Sequence, residues 1–377
     1  MNGTDSRANN QNRALSGLDR LISDEMMIGH LATRQVGLLT NHACTTVNHL
    51  PATLAIKQSL DAHGGSDLRL FTPEHGMRLS AAAGEAVSSS IDPLTGLTVH
   101  SLYEGAENDT GAVLEGLDAL IIDLRDVGVR CYTYAATAAR FANTALARHI
   151  EVIICDRANP LGPLIEGPRP EPERTSLLSY FDVPFVHGRT IGELIALNIS
   201  PVIGEAPFAV YPADVSLQPP LGWIPPSPAL SHPDAVSAYP GLVLLEATNV
   251  SEGRGTSVSF RSVAAPGLDA EALARAVNEW TTGFGATAGE IFFTRPPASG
   301  QPVPGIALWP RRTPRHEPFA LGVHLLAWLL EHYADFAWLP AAGSKSDMAI
   351  DVLFGRSDLR TQLDAGTYAD AILRGWR

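Results

Sequence analysis

The sequence predicts an α/β fold with a Rossmann-like, mostly parallel sheet that lacks a dinucleotide fingerprint, followed by a smaller α/β domain at the C-terminus. Three observations lead to this prediction. Unbroken apolar segments with strand composition alternate with segments of helical periodicity. Neither a GxGxxG nor a GxxxxGK[ST] motif follows the first strand. The length of 377 residues exceeds what one hydrophobic core normally supports, which favours two domains.

The first part of the chain supplies most of the predicted sheet. Residues 1–13 are polar and rich in asparagine, which favours disorder. The apolar segments that follow are continuous rather than alternating, as expected for strands that are buried on both faces. Strands are predicted at residues 36–41, 68–72, 118–124 and 151–155, with a short strand or edge segment at 99–103. Helices are predicted at residues 15–28, 50–62 and 131–149.

The composition changes to proline, glycine and charge after Leu161, and the Pro-rich residues 201–240 contain the predicted domain boundary. We therefore predict a Rossmann-like domain at 14–220 and the smaller domain at 221–377. Before the boundary, Thr190 is predicted to cap a helix, with Glu193 as its capping-box partner. The second domain is predicted to contain strands at 242–247 and near residues 291 and 306, and helices at 270–280, 321–333 and 359–372.

The composition excludes several function classes. Lys and Arg total 27 against 40 Asp and Glu, a net charge of -13, which opposes a nucleic-acid or anionic-membrane surface. The three cysteines are widely spaced and form no CxxC, so we expect reduced thiols. No apolar run has the length of a membrane span. Residues 1–20 lack the apolar core of a signal peptide, and we expect a cytoplasmic protein.

Polar side chains follow each of the four main predicted strands. Because the carboxyl ends of parallel strands meet at one edge of a sheet, we expect these side chains to converge in the ligand crevice of the fold. The convergent residues are Asn41, Glu74, His75, Asp123, Asp126, Asp156 and Asn159.

Glu74 and His75 are the first candidates for chemistry. Pro73 cannot donate to a sheet ladder and ends the second strand, while Gly76 allows the backbone to turn away. Glu74 then serves either as a general acid or, if it stays ionised, as a base or nucleophile. The structural alternative is that Glu74 caps the following turn and that His75 is a satisfied buried donor.

Two further segments carry candidate residues. Asp123, Asp126 and Arg130 are expected to interact, either within a site or as a structural ion-pair network. Arg254 lies between Gly253 and Gly255, which let the backbone approach a ligand while the guanidinium binds a carboxylate or phosphate. The alternative for this segment is a Gly-rich hairpin with an exposed arginine.

Other chemistries have weaker support. No G-x-S-x-G motif is present, which argues against an α/β-hydrolase serine. A metal site from His42, His75 and Asp123 matches no zinc or EF-hand spacing.

An ordered set of short motifs between about residues 36 and 266 resembles one family, the NamZ-type exo-β-N-acetylmuramidases, which are glycoside hydrolases of bacterial cell-wall recycling. The set consists of GLLTN at 37–41, PEHG at 73–76, SLY at 101–103, DVG at 126–128, YTY at 132–134, DRANP at 156–160, EGP at 166–168, HG at 187–188, PPSP at 225–228, YPG at 239–241 and TNVSEGRGT at 248–256.

The resemblance implies a Rossmann-like first domain, a smaller α/β second domain and a site in the cleft between them. It also implies release of N-acetylmuramic acid from the non-reducing end of peptidoglycan fragments. The partner would be a muramic-acid-containing saccharide, with no nucleic acid, no membrane, no metal and no organic cofactor.

The resemblance also carries residue roles. Glu74 is the best candidate for the catalytic carboxylate, and His75, Tyr134 and Glu166 are the other catalytic candidates. Arg254 is expected to bind the lactyl carboxylate of muramic acid. The second catalytic group stays open among Glu166, Glu252, Asp126 and a tyrosine. The residues expected to bind the sugar are Asn41, Asp123, Asp126, Arg130, Tyr132, Asp156, Asn159, Glu252 and Arg254.

The chain departs from the family pattern at several positions. Leu79 replaces a glycine, Arg125 replaces a neutral amide, Glu104 is an insertion and Ala229 replaces an amide. A later family segment is weakly matched at residues 305–308. These departures leave open an altered substrate, or a catalytically weakened paralogue that binds sugars or muropeptides. A metal-dependent hydrolase is a separate alternative.

Overall fold

The computed structural model describes residues 15–65, 67–78, 85, 87–102, 111–199, 207–214, 223–280, 282–293, 301–311, 315–344 and 346–376. The predictions for residues 1–13, Leu79 and Glu104 lie outside these ranges. The chain forms two compact units. Unit 1 consists of Met1–Asp126, Tyr134–Gly162 and Arg189–Pro226, and unit 2 consists of Val127–Thr133, Pro163–Gly188 and Ser227–Arg377. The prediction placed a single domain boundary at residue 220. It did not anticipate that Val127–Thr133 and Pro163–Gly188, which come earlier in the chain, belong to unit 2.

The described strands, in chain order, are β1 Val36–Leu39, β2 Leu68–Thr72, β3 Ser90–Ile91, β4 Thr98–Ser101, β5 Ala119–Ile122, β6 Glu151–Cys155, β7 Ile165–Glu166, β8 Val186–His187, β9 Phe208–Tyr211, β10 Ser262–Ala264, β11 Phe284–Phe292 and β12 Pro302–Pro310. The described α-helices are α1 Gly17–Ile22, α2 Glu25–Leu31, α3 Ala52–Asp61, α4 Thr133–Leu146, α5 Ile191–Asn198, α6 Pro233–Leu242, α7 Ala270–Glu279, α8 Pro318–His332, α9 Ala349–Phe354, α10 Asp358–Asp364 and α11 Ala369–Gly375.

Unit 1 is built on a mostly parallel sheet. Over the described residues its strand order is β3-β4-β2-β1-β5-β6-β9, and β3 is antiparallel to β4 while the other pairs are parallel. Every residue of β1, β5 and β6 is buried, which explains why these strands are apolar apart from Glu151 at the start of β6. The predicted α/β class with a mostly parallel sheet is confirmed. The parallel edge strand β9 was not predicted, because it lies within the Pro-rich residues 201–240.

The N-terminal helical segment of unit 1 differs from its prediction. The single helix predicted at 15–28 is wrong, since the chain forms α1 and α2 with a break at Ser23 and Asp24. Asp24 accepts a hydrogen bond from the Met27 backbone and thereby starts the second helix. Gly17 packs directly on the sheet, because its N–H donates to the Asp156 carbonyl at 2.9 Å.

Unit 2 contains a three-stranded antiparallel sheet of order β10-β12-β11 in its described part. Helices α6 and α8 cross at Gly241 and Gly322, where any larger side chain would overlap the facing backbone. The strand predicted at 242–247 is wrong, because α6 is followed by a 3₁₀ helix at Val243–Ala247. A short apolar run does not distinguish a buried strand from a buried helical turn. The helix predicted at 359–372 is α10 and α11, separated at Gly366.

None of the helices described here combines the length and the apolar character that a transmembrane segment requires.

Candidate active site

The polar edge of the unit 1 sheet forms the candidate active site. Strands β2, β1, β5 and β6 are consecutive and parallel, so their carboxyl ends lie along one edge. The structure therefore brings to this edge most of the site residues predicted in unit 1. Those that follow the four strands and are buried are Asn41, Glu74, His75, Asp123, Asp126 and Asp156.

Glu74 and His75 lie in a tight turn directly after β2. Glu74 is 7% exposed and His75 is 5% exposed. His75 and Gly76 both have left-handed backbone, with φ of 70° and 77°. A left-handed non-glycine residue costs about 1 kcal/mol, and such strain is concentrated at functional sites. The fold therefore holds His75 in a conformation that a non-glycine residue does not favour, whereas Gly76 adopts it without strain.

Tyr134 stabilises the turn from the first turn of α4. Its side chain is fully buried, and its hydroxyl lies 3.1 Å from the Glu74 carbonyl oxygen and 2.7 Å from the Pro226 carbonyl oxygen. The ring centroids of Tyr134 and His75 are 6.4 Å apart. These contacts place the phenol on main-chain carbonyls, which is the position of a group that fixes the Glu74 backbone.

Asp123 forms a buried, bidentate ion pair with Arg157. The guanidinium donates from Nε at 2.5 Å and from Nη2 at 2.8 Å, and Nη2 also donates to the Thr45 carbonyl. Burial, the largest single influence, lowers the pKa of Arg157, but the Asp123 carboxylate and the neighbouring Cys44 and Cys155 together raise it above the usual value. Asp123 is thus part of a structural pair that joins the ends of β5 and β6.

Arg125 was not among the predicted site residues, although its replacement of an amide was a visible signal. Its guanidinium carbon lies 5.7 Å from the ring centroid of Trp223, in the geometry of a cation–π contact. Burial, and then the nearby Arg157, lower the pKa of Arg125 to about 10. Across the described residues this side chain makes no hydrogen bond and no ion pair, and its Nε is buried.

Asn41, at the end of β1, also has an unsatisfied donor. Its Oδ1 accepts hydrogen bonds from the Ala43 backbone at 3.1 Å and from the Cys44 thiol at 3.6 Å. Its Nδ2 is buried and has no hydrogen-bond partner among the residues that the structure describes, and the same holds for the Thr72 hydroxyl. Buried polar atoms without partners are rare in folded proteins and mark positions where water or a ligand binds.

Asp156 and Asn159 support neighbouring backbone. The Asp156 carboxylate accepts hydrogen bonds from the Thr190 hydroxyl at 2.6 Å and from the Gly192 backbone at 3.0 Å, at the start of α5. Burial raises the pKa of Asp156. Asn159 donates to the Arg189 carbonyl at 3.0 Å. Both predicted sugar-binding residues therefore anchor the segment that leads into α5.

In unit 2, the predicted residue Arg130 is buried among main-chain carbonyls. Its guanidinium donates to Pro168 at 2.9 Å, to Val183 at 2.8 Å and to Phe354, and it lies against the ring of Phe185. Burial lowers the pKa of Arg130 to about 10. A guanidinium that satisfies several carbonyls ties distant parts of unit 2 together.

Glu166 and Tyr132 lie elsewhere in unit 2. One Glu166 carboxylate oxygen accepts a hydrogen bond from the Phe319 backbone at 2.9 Å, at the beginning of α8. A carboxylate at this position is favoured by the positive end of the helix dipole. Tyr132 packs edge-on against Tyr239, with ring centroids 6.2 Å apart.

Arg254 is already paired with two carboxylates. Its Nε donates to Glu252 at 3.1 Å, its Nη2 donates to Glu246, and its guanidinium lies over the ring of Phe260. One positive and two negative side chains leave this cluster with net negative charge. Such a cluster does not favour a further carboxylate, although the predicted role of Arg254 in binding one is untested.

No group of three or more His, Cys, Asp or Glu side chains in the described part of the chain is arranged to hold a metal ion. Cys44, Cys131 and Cys155 are all buried, and none of them forms a disulfide. Burial raises the pKa of the Cys44 thiol to about 11 and that of Cys131 to about 12. Thiols with such pKa values are poor nucleophiles at neutral pH.

Comparison with solved structures agrees with the fold. The chain is similar to a DUF1343 family protein from Bacteroides fragilis, with a TM-score of 0.78 and 23% identity over 97% of this chain and 98% of that one. A second DUF1343 family protein from the same organism gives a TM-score of 0.70 at 23% identity, over 97% of this chain and 95% of that one.

Comparison of sequences identifies the family. The chain is 31% identical over 374 residues to the peptidoglycan β-N-acetylmuramidase NamZ of Bacillus subtilis, covering 96% of this chain and 87% of that protein. The N-terminal model of the exo-β-N-acetylmuramidase NamZ family matches residues 36–234, and the C-terminal model matches residues 237–377. The predicted resemblance is confirmed, and the chain belongs to the NamZ family of exo-β-N-acetylmuramidases.

Proposed function

We propose that this protein is an exo-acting glycoside hydrolase that releases N-acetylmuramic acid from the non-reducing end of peptidoglycan fragments. Membership of the NamZ family supports the activity, and the relative from Bacillus subtilis is named for it. The structural observation that carries the proposal is the buried Glu74 carboxylate, held by a left-handed turn at the carboxyl edge of the parallel sheet.

Glu74 is the proposed catalytic carboxylate. Cleavage of a glycosidic bond requires an acid that protonates the leaving oxygen and a second group that stabilises or attacks the anomeric centre. As the acid, Glu74 gives its proton to the leaving oxygen and regains one from the attacking water. His75, the adjacent residue, is proposed to assist by hydrogen bonding to the sugar.

Asp126 is the proposed second carboxylate. It follows β5, which is separated from β2 by β1 alone, so it lies at the same edge as Glu74. Among the other acidic candidates, Glu166 accepts a hydrogen bond from the start of α8 and Glu252 pairs with Arg254, and both lie in unit 2. We propose that Asp123, Arg130, Asp156 and Asn159 act by supporting the scaffold rather than by direct sugar contact.

The test is turnover of a muramic-acid-terminated disaccharide, with a glucosamine-terminated disaccharide as the control. The wild type should release N-acetylmuramic acid, and Glu74→Gln should lower kcat by about 100- to 10,000-fold without altering the folded state. Full activity of Glu74→Gln would refute the catalytic assignment.

Two other outcomes would replace the proposed function. Calorimetric binding of a muropeptide without sugar release would identify a binding paralogue, the alternative suggested by the departures from the family pattern. Loss of turnover in the presence of a chelator, with recovery on adding a divalent metal, would identify a metal-dependent hydrolase.

A further inference from the structure

Arg125 is partly buried and, unlike the buried Arg130 and Arg157, makes no hydrogen bond and no ion pair within the described residues. Arg157 has the Asp123 carboxylate, and Arg130 has three main-chain carbonyls. Arg125 contacts the face of Trp223, and the Asp123 carboxylate acts on it through its charge while accepting hydrogen bonds from Arg157. Partial burial of a guanidinium without hydrogen bonds is unfavourable, and a bound anion would relieve that cost.

The contact with Trp223 leaves the guanidinium suited to a planar anion. An aromatic face interacts with the positive charge but accepts none of its edge N–H groups in conventional hydrogen bonds. Those N–H groups match the two oxygens of a carboxylate. With a pKa of about 10, Arg125 stays charged at neutral pH, so it attracts an anion throughout the range in which the sugar carboxylate is ionised.

A second unsatisfied donor lies on the adjacent strand. Strands β1 and β5 pair in register from Val36 with Ala119 to Leu39 with Ile122, and Asn41 and Arg125 follow these two strands. The Asn41 amide has a defined orientation, because its oxygen accepts the Ala43 N–H. Its buried Nδ2 is therefore a donor by geometry and not an oxygen placed in the wrong flip.

We infer that Arg125 and the Nδ2 of Asn41 form an anion-binding subsite, and that it takes the lactyl carboxylate which distinguishes N-acetylmuramic acid from N-acetylglucosamine. The identity of the sugar rests on the proposed function. The assignment replaces Arg254 in this role, because Arg254 is already held by Glu246 and Glu252. In this chain, the arginine that departs from the family pattern becomes its specificity determinant.

The experiment compares wild type, Arg125→Gln, Arg125→Lys and Arg254→Gln. Arg148→Gln is the control, because it makes the same substitution at an exposed arginine of unit 1, after α4. Calorimetry measures binding of N-acetylmuramic acid and of N-acetylglucosamine, and kinetics measure a chromogenic β-glycoside of each sugar.

Arg125→Gln should weaken binding of N-acetylmuramic acid about 10- to 100-fold and raise KM more than it lowers kcat. Binding of N-acetylglucosamine should change by less than about twofold, since that sugar lacks the carboxylate. Arg125→Lys should retain part of the affinity, because it keeps the charge without the fork. Arg148→Gln should behave as the wild type.

Folding provides an independent check. Arg125→Gln removes a partly buried charge that makes no hydrogen bond or ion pair within the described residues, so its Tm should stay close to that of the wild type or exceed it. An equal loss for both sugars, unchanged binding of N-acetylmuramic acid, or a selective loss in Arg254→Gln instead would each overturn the inference. If no variant turns over but muramic acid still binds through Arg125, the proposed function fails and the subsite stands.

Discussion

The hydroxyl of Tyr134 lies 3.1 Å from the backbone carbonyl of Glu74, so a fully buried phenol holds the main chain that carries the proposed catalytic carboxylate. The same hydroxyl lies 2.7 Å from the Pro226 carbonyl. One residue later, His75 has a φ of 70°. The Tyr134 side chain thus stabilises the strained turn through its main chain. The direction of the Glu74 side chain therefore depends on a residue about sixty positions later in the sequence.

Replacement of Tyr134 by phenylalanine tests whether the Tyr134 hydroxyl positions Glu74. The change deletes the hydroxyl but keeps the ring, so we expect a loss of about 1 kcal/mol in the free energy of unfolding. We also expect kcat to fall about tenfold, because a small displacement of a catalytic group is costly. Urea unfolding and steady-state kinetics provide the two measurements.

The pH dependence of kcat/KM distinguishes a positioning role of Tyr134 from a catalytic one. If Tyr134 only positions Glu74, the profile of kcat/KM should keep its shape in Tyr134→Phe and move down as a whole. Loss of one limb of the profile would show that the phenol exchanges a proton with the substrate, as the sequence-based catalytic role requires.

The pair of Asp123 with Arg157 should be among the most sensitive structural contacts of unit 1. Their side chains are 0% and 7% exposed. Asp123→Asn leaves a buried guanidinium without its anion, and we expect a loss of about 3–5 kcal/mol. The exposed pair of Lys57 with Asp61 is the control, where Asp61→Asn should cost less than about 0.5 kcal/mol. Similar costs for both variants in urea unfolding would contradict this account.

The parallel sheet could be predicted because its signal is local. The segments at 36–41 and 151–155 each contain a continuous apolar run, which indicates burial on both faces, and they contain β1 and β6. The capping box of Thr190 with Glu193 was also predicted and is confirmed, since both of its hydrogen bonds lie within four residues. Parallel pairing then placed the polar strand ends along one edge.

The roles of individual polar residues could not be predicted in the same way, because their partners are distant in sequence. Glu166 binds the backbone of Phe319, 153 residues later, and Asp156 binds Thr190, 34 residues later. A carboxylate that supports a helix and one that contacts a sugar look identical in a motif. The sequence shows that Arg125 replaces an amide of the family pattern. Only the three-dimensional structure shows that its guanidinium lies against Trp223 without a hydrogen bond or ion pair within the described residues.

The acid sensitivity of unit 1 should depend in part on Asp24. The N–H of Met27 and then the hydroxyl of Tyr211 stabilise its ionised form, so the pKa of Asp24 is lowered from 3.8 in the folded state. A lowered pKa means that the contribution is complete above pH 3.8 and is lost as the pH falls through the folded value. Asp24→Ala should cost about 1 kcal/mol at neutral pH, less near pH 3.8 and least below it.

Asp24→Asn is the matched control, because asparagine caps a helix without a charge. Its stability should remain close to that of the wild type at neutral pH and should vary less on acidification. Urea unfolding at several pH values measures both variants. A cost of Asp24→Ala that stays constant with pH would show that the charge of Asp24 is irrelevant to folding.

Substitutions of Glu166 test which carboxylate acts with Glu74 as the second catalytic group. Its oxygen accepts the Phe319 N–H at the start of α8, and glutamine can still accept this bond through its amide oxygen. Glu166→Gln should therefore lower the free energy of unfolding by only about 0.5–1 kcal/mol, the value of the charge at a helix N-terminus. Glu166→Ala, which also loses the acceptor, should cost about 1–2 kcal/mol.

If Glu166 supports the helix, both Glu166 variants keep kcat within about twofold, whereas Asp126→Asn lowers kcat about 100-fold or more. The reverse pattern would make Glu166 the second catalytic group and would remove Asp126 from the mechanism.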